Sequence, residues 1–128
     1  MGVYAAVLSS YCIQLRNDLV AAIEYIVANT PVKKIMVETN GVADPVQSIK
    51  QFWFDEEALI HAQLHSVIAV VSAKRWEEDC NKPLFEKQIA AANHVLVSFV
   101  DQVDEEKYKK VVEGIRKLNF ECVISRYF

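Results

Sequence analysis

The chain has 128 residues, 52% hydrophobic and 24% charged, with a formal net charge of −3 at pH 7. These are globular proportions for a single domain with a buried core. They exclude a basic nucleic-acid groove, and no apolar run approaches the roughly 20 residues of a membrane span.

In chain order, Val3 to Leu8 reads as a short strand. Its apolar start lacks the positive flank of a signal peptide. Asn17 is placed to cap a helix, with Asp18 at the positive end of its dipole. Leu19, Ile23, Ile26 and Val27 fall on one face of that helix, and Thr30-Pro31 ends it. Ile35-Met36-Val37 then runs apolar and stops in Glu38-Thr39-Asn40-Gly41, the pattern of a buried parallel strand followed by a turn at Gly41. An acid at the carboxyl end of such a strand stands where open α/β sheets bind ligands, although spacing alone fits a solvated strand end better.

Pro45 suits the first turn of a helix, and Val46, Ile49 and Phe52 or Trp53 follow helical spacing. The aromatic cluster Phe52-Trp53-Phe54 reads as core or interface. His61 and His65 are four apart, but with no third ligand in sight they read as solvated loop histidines. Leu64 to Ser72 and His94 to Phe99 read as buried strands, with a helix between them after Asn81-Lys82-Pro83. Asp104 is the expected cap of a last helix. Tyr108, Val111, Val112, Ile115 and Leu118 form its buried face, and Lys107, Lys109, Lys110, Arg116 and Lys117 its solvated one. Glu121 to Ser125 reads as a final strand. Alternating strands and helices without a repeat predict an α/β fold, a mostly parallel sheet with helices on both faces. The three cysteines, Cys12, Cys80 and Cys122, are odd in number and far apart, which points to a reducing, cytoplasmic setting.

Glu38-Thr39-Asn40-Gly41-Val42-Ala43-Asp44-Pro45 resembles the Glu-Thr-Thr-Gly-Leu-Ala-Asp-Pro signature of the CobW-type (CobW/HypB/UreG-like) metallochaperone GTPases. The resemblance implies a three-layer, P-loop-NTPase-like fold. It puts Glu38 and Gly41 at the catalytic positions that end the Walker B strand and face the γ-phosphate and metal. Cys12-Ile13-Gln14-Leu15-Arg16-Asn17-Asp18-Leu19 is similar to the family's Gly-Cys-x-Cys-Cys-x-x-Arg-x-Asp-Leu element. Of the three family thiolates only Cys12 remains; the other two positions are Ser10 and Ile13. One thiolate does not make a Zn²⁺ site, so Cys12 is better read as a small buried hydrophobe. Glu86, Gln88, Ile89, Ala90 and Ala91 resemble a family helix, with Asn93 in place of its final Asp.

The family's guanine-binding Asn-Lys-x-Asp falls on Ser98-Phe99-Val100-Asp101. By resemblance, Asp101 is the base acceptor, and Asn119 precedes the family's base-contacting loop. Phe99 could stack on a base, but packing in the core is the preferred reading. The only glycines are Gly2, Gly41 and Gly114, and none opens a Gly-x-x-x-x-Gly-Lys-Ser/Thr phosphate loop. The family's P-loop strand and helix are therefore missing.

The expectation is a single, partial CobW-like nucleotide-binding domain over 1–128. It would be a non-hydrolysing binding or assembly module, without a cofactor of its own although the family implies GTP, Mg²⁺ and Zn²⁺ or Co²⁺. The alternatives are half of a split GTPase whose P-loop comes from another chain, or an excised fragment. A homodimer or a protein partner is expected, with one of Phe52, Trp53 and Phe54 at the contact and with Trp76 and Phe128 also too large to bury. No nucleic acid and no membrane are expected. The gap left by the P-loop strand could be closed by its neighbours, by the Val3 strand or by another chain.

Overall fold

A computed structural model describes residues 2–8, 15–54, 56, 60 and 62–128. Cys12 and His61 lie outside the described residues, as do the side chains of Phe52, Trp53 and Phe54. The chain divides into two compact units, Met1–Leu64 and His65–Phe128.

In the first unit, β1 (Gly2–Leu8) runs parallel to β2 (Val32–Thr39), from Val3 opposite Lys34 to Leu8 opposite Thr39. A parallel pair needs a crossover, and α1 (Leu15–Asn29) supplies it. This helix starts two residues before Asn17, so Asn17 lies in its first turn and does not cap it. Leu19, Val20, Ile23 and Ile26 are buried, whereas Val27 is exposed. Thr30 N–H bonds back to the carbonyl of Ile26, and Pro31 follows. On β2, Ile35 and Val37 are half-buried, whereas Met36 between them is 59% exposed. The helix α2 (Pro45–Phe54) begins at its proline, and the carboxylate of Asp44 accepts the N–H of Val46 at 3.0 Å.

The second unit is a three-stranded parallel sheet in the order β3 (Ile68–Ser72), β4 (His94–Ser98), β5 (Val123–Arg126). Its ladder aligns Ile68 with His94 and His94 with Val123. β3 begins four residues later than its sequence suggested, because upstream of Ile68 only Val67 bonds to the next strand. The helices are α3 (Trp76–Asp79), α4 (Pro83–Ala90) and α5 (Glu105–Leu118), with a 3₁₀ turn at Val100–Gln102. The pleat sends alternate residues to opposite faces. Val71, Val95 and Val97 join Ile89, Val111 and Ile115 in the core, while Ile68 and Val70 are 54% and 67% exposed. Within this unit the core lies against the face that carries Val71, Val95 and Val97.

Asp104 caps α5, accepting the N–H of Lys107 at 2.7 Å. An Asp104→Ala protein should lose about 1 kcal/mol in urea unfolding, the usual worth of an N-cap. An unchanged midpoint would show that this helix end is held by other contacts. Trp76, expected to stay exposed, is buried edge-to-face against Phe85, with ring centroids 5.8 Å apart. It owes that burial to Gly114 on α5, where an added Cβ would lie 2.1 Å from its ring carbon Cζ2. Phe128 is exposed, as expected.

Candidate functional site

The carboxyl end of β2 carries the acidic signature. Glu38 and Thr39 are exposed there, and Asn40 is half-buried. Asn40 shapes the turn: its Oδ1 accepts the N–H of Val42 at 3.2 Å, and its carbonyl accepts Ala43 N–H at 2.9 Å. No described glycine has positive φ, so this turn does not demand one as the sequence suggested. Among the described residues, a Cβ on Gly41 would meet nothing within 4 Å. Among the described residues, neither a positive φ nor packing against a Cβ requires the glycine.

In the second unit, the loops after β3 and β4 are tied together. Ala73 N–H donates to the carbonyl of Ser98 at 3.0 Å, and the Ser98 hydroxyl donates to Val71 O at 3.2 Å. Lys74 Nζ reaches Gln102 Oε1 at 3.4 Å. Val100 is buried and anchors the 3₁₀ turn, while Asp101 and Gln102 are exposed around it. Phe99 is 48% exposed, which corrects the expectation that it packs in the core. Its backbone is left-handed, at φ 56° and ψ 33°, where a bulky residue is strained. The chain turns sharply there to enter the 3₁₀ turn, and that turn carries the side chain out of the core.

Behind these loops, Lys107 is not simply solvated. Its Nζ donates to Glu77 Oε2 at 2.7 Å and to the Lys74 carbonyl at 3.4 Å. The hydrogen bond from Lys107 holds the Glu77 carboxyl below its ordinary range. A lowered acid pKa stabilises the fold above the unfolded value, and the effect is lost as pH falls through the folded value. The exposure of the Glu77 carboxylate to solvent keeps this contribution small. Arg116, also expected in solvent, is half-buried and donates to the carbonyls of Phe120 and Cys122.

The side chain of Asn119 is occupied within the fold. Its Nδ2 donates to Ile89 O at 2.9 Å, Ala92 O at 2.8 Å and Ala90 O at 3.4 Å. Its Oδ1 accepts the N–H of Glu121 at 3.2 Å and of Cys122 at 3.1 Å. It joins the carboxyl end of α4 to the turn before β5, satisfying helix-end carbonyls that have no partner within the helix. Its exposed neighbour in the base-side reading, Asp101, shares no hydrogen bond with it.

The CobW/HypB/UreG nucleotide-binding domain matches residues 9–125, nearly the whole chain. The chain belongs to this family. The family chain is 28% identical over 130 aligned positions to the zinc-regulated GTPase metalloprotein activator 1 of Saccharomyces cerevisiae, covering 84% of itself and 30% of that protein. It shares the fold of the Zn(II)-bound YjiA GTPase from E. coli, with a TM-score of 0.71 and 24% identity over 93% of this chain and 36% of that one. A Zn(II)-bound triple mutant of the YjiA GTPase gives a TM-score of 0.73 at 23% identity, over 92% and 36%. The fold is thus P-loop-NTPase-like, and this CobW-type chain spans about a third of the length of these relatives.

The residues present do not make a complete site for GTP and Mg²⁺. The sequence has no glycine-rich loop with a lysine to hold phosphates, and Asn119 is engaged elsewhere. Among the described residues, no three His, Cys, Asp or Glu side chains converge as metal donors. His65 is exposed. No described helix is long and apolar enough to cross a membrane.

Proposed function

We propose that this CobW-type chain is a non-hydrolysing member of its family, a cytoplasmic binding or assembly module in metallochaperone chemistry. The observation that supports this reading is the pairing of a kept acidic signature, Glu38 to Pro45, with the absence of any Gly-x-x-x-x-Gly-Lys-Ser/Thr loop. Phosphate contacts supply much of a nucleotide's affinity, and Mg²⁺ loses its Ser/Thr ligand with the loop. Glu38 then has no phosphate to act on. Calorimetry of the chain with GTP or GDP and Mg²⁺ should show no binding at physiological nucleotide concentrations. A dissociation constant in the low micromolar range would overturn the reading.

The open space at Gly41 among the described residues and the exposed Asp101 favour one second reading, a split GTPase whose phosphate loop comes from another chain. A P-loop-bearing protein that co-purifies and restores GTP hydrolysis would select it. For metal, the relatives are zinc-linked by name, yet Cys12 stands alone where the family has three thiolates. Purified protein is expected to carry no stoichiometric Zn²⁺ by elemental analysis. One bound Zn²⁺ that disappears in Cys12→Ser would show that the site survives.

A further inference from the structure

Gly41 follows Asn40 directly, inside a closed turn. The Asn40 carbonyl accepts the N–H of Ala43 at 2.9 Å, and its Oδ1 accepts the N–H of Val42 at 3.2 Å. The Oδ1 bond closes a ring whose members include both the carboxamide carbon Cγ of Asn40 and the peptide nitrogen of Gly41. The two atoms are therefore held close together. The same bond draws electron density towards Oδ1 and leaves Cγ more open to attack. Gly41 brings no Cβ to shield its nitrogen. Two reacting groups tethered at a held geometry need no encounter step.

We propose that Asn40 is a modification site, where the folded chain converts the side-chain amide to a carboxylate without an enzyme. The Gly41 nitrogen gives up its proton to hydroxide and attacks Cγ. A new C–N bond forms, the Cγ–Nδ2 bond breaks, and the nitrogen leaves as ammonia with a proton from water. The product is a five-membered succinimide. Water then opens that ring on either side. Addition at Cγ returns ordinary aspartate, and addition at the main-chain carbonyl leaves isoaspartate, with the chain running through Cγ. The step is selective. The other five asparagines precede Asp18, Thr30, Lys82, His94 and Phe120, whose side chains crowd the same attack. Asn93 is also held by the N–H of Val67, and Asn119 by the carbonyls of Ile89 and Ala92. The product alters the acidic signature itself. It places a negative charge between Glu38 and Asp44 in the chain, and isoaspartate lengthens the main chain by one carbon, which breaks the turn bond to Ala43. This proposal does not rest on the nucleotide reading and stands or falls separately.

Incubation of the full chain in mildly alkaline buffer, followed by peptide mapping with mass spectrometry, tests it. The peptide that contains Asn40 should gain one mass unit and split into two separable isomers, aspartate and isoaspartate. Its rate should rise in proportion to hydroxide concentration, while the peptides of the other five asparagines stay unchanged. Gly41→Ala should abolish the conversion over the same period. That variant keeps the turn, since the backbone there needs no positive φ and among the described residues a Cβ meets nothing within 4 Å. Circular dichroism confirms that it is folded, so a lost product reports the chemistry of ring closure. A synthetic peptide of the same residues supplies the rate without the fold. If that peptide converts and the folded chain does not, the turn protects Asn40 and the proposal is overturned. Equal conversion in Gly41→Ala, or equal conversion at another asparagine, overturns it too.

Discussion

Gly114→Ala should strongly destabilise the His65–Phe128 unit. At most exposed mid-helix sites the same change gains about 1 kcal/mol, because glycine is the poorer helix former. Here the new methyl would stand 2.1 Å from Cζ2 and 2.9 Å from Cη2 of Trp76. The indole cannot withdraw freely, since it is buried and packed edge-to-face on Phe85. Overpacking of this kind costs roughly 1–3 kcal/mol or more, enough to reverse the helix gain. Urea unfolding followed by circular dichroism should show a net loss of about 2 kcal/mol. Trp76→Phe removes the two crowded ring atoms, so the double variant should recover part of the loss and be markedly non-additive. A Gly114→Ala protein as stable as the parent would mean that the indole sits elsewhere.

The second large effect is at Asn119. Replacing it by Asp keeps an acceptor for the N–H groups of Glu121 and Cys122 but turns a carboxylate oxygen onto the carbonyls of Ile89 and Ala92. An unmet buried partner costs about 1–3 kcal/mol, and a charge costs more. A loss of about 3 kcal/mol is expected for Asn119→Asp near neutral pH. The folded state would hold the new carboxyl protonated, with its pKa above the unfolded value. The penalty is therefore absent below the ordinary carboxyl range and grows as pH rises through it. The loss should appear in protein without nucleotide. If Asn119 served only a base, Asn119→Asp would leave the unliganded protein as stable as before.

These two residues mark where sequence reading stops. The Asp104 cap, the helix opened by Pro45 and the apolar faces of α1 and α5 were legible because their partners lie within a few residues. So was the family, through the long signature from Glu38 to Pro45. The partners of Asn119 lie near Ile89, some thirty positions back, and only the folded chain brings them together. Gly114 left one local trace, a glycine inside an otherwise periodic helix, which often signals close packing. The exposure of Phe99 turns on a single left-handed residue that no periodicity announces. The apolar runs of β2 and β3 identified strands, but not how many faces of each sheet are covered, since hydrophobicity records an opportunity for burial and not its use.

Every strand ladder described is parallel. No hairpin can therefore start the assembly of either sheet, because two parallel strands meet only after an intervening crossover has been brought back. β3 must wait for α4 before β4 can join it, and β4 must wait for α5 before β5 can. The entropy of closing those long loops is spent before any ladder bond rewards it. The search for the native arrangement is thus expected to be slow for a chain of this size, with helices forming well ahead of the sheets. During that interval uncharged strands such as β3 stand open, so folding at high concentration competes with aggregation through them.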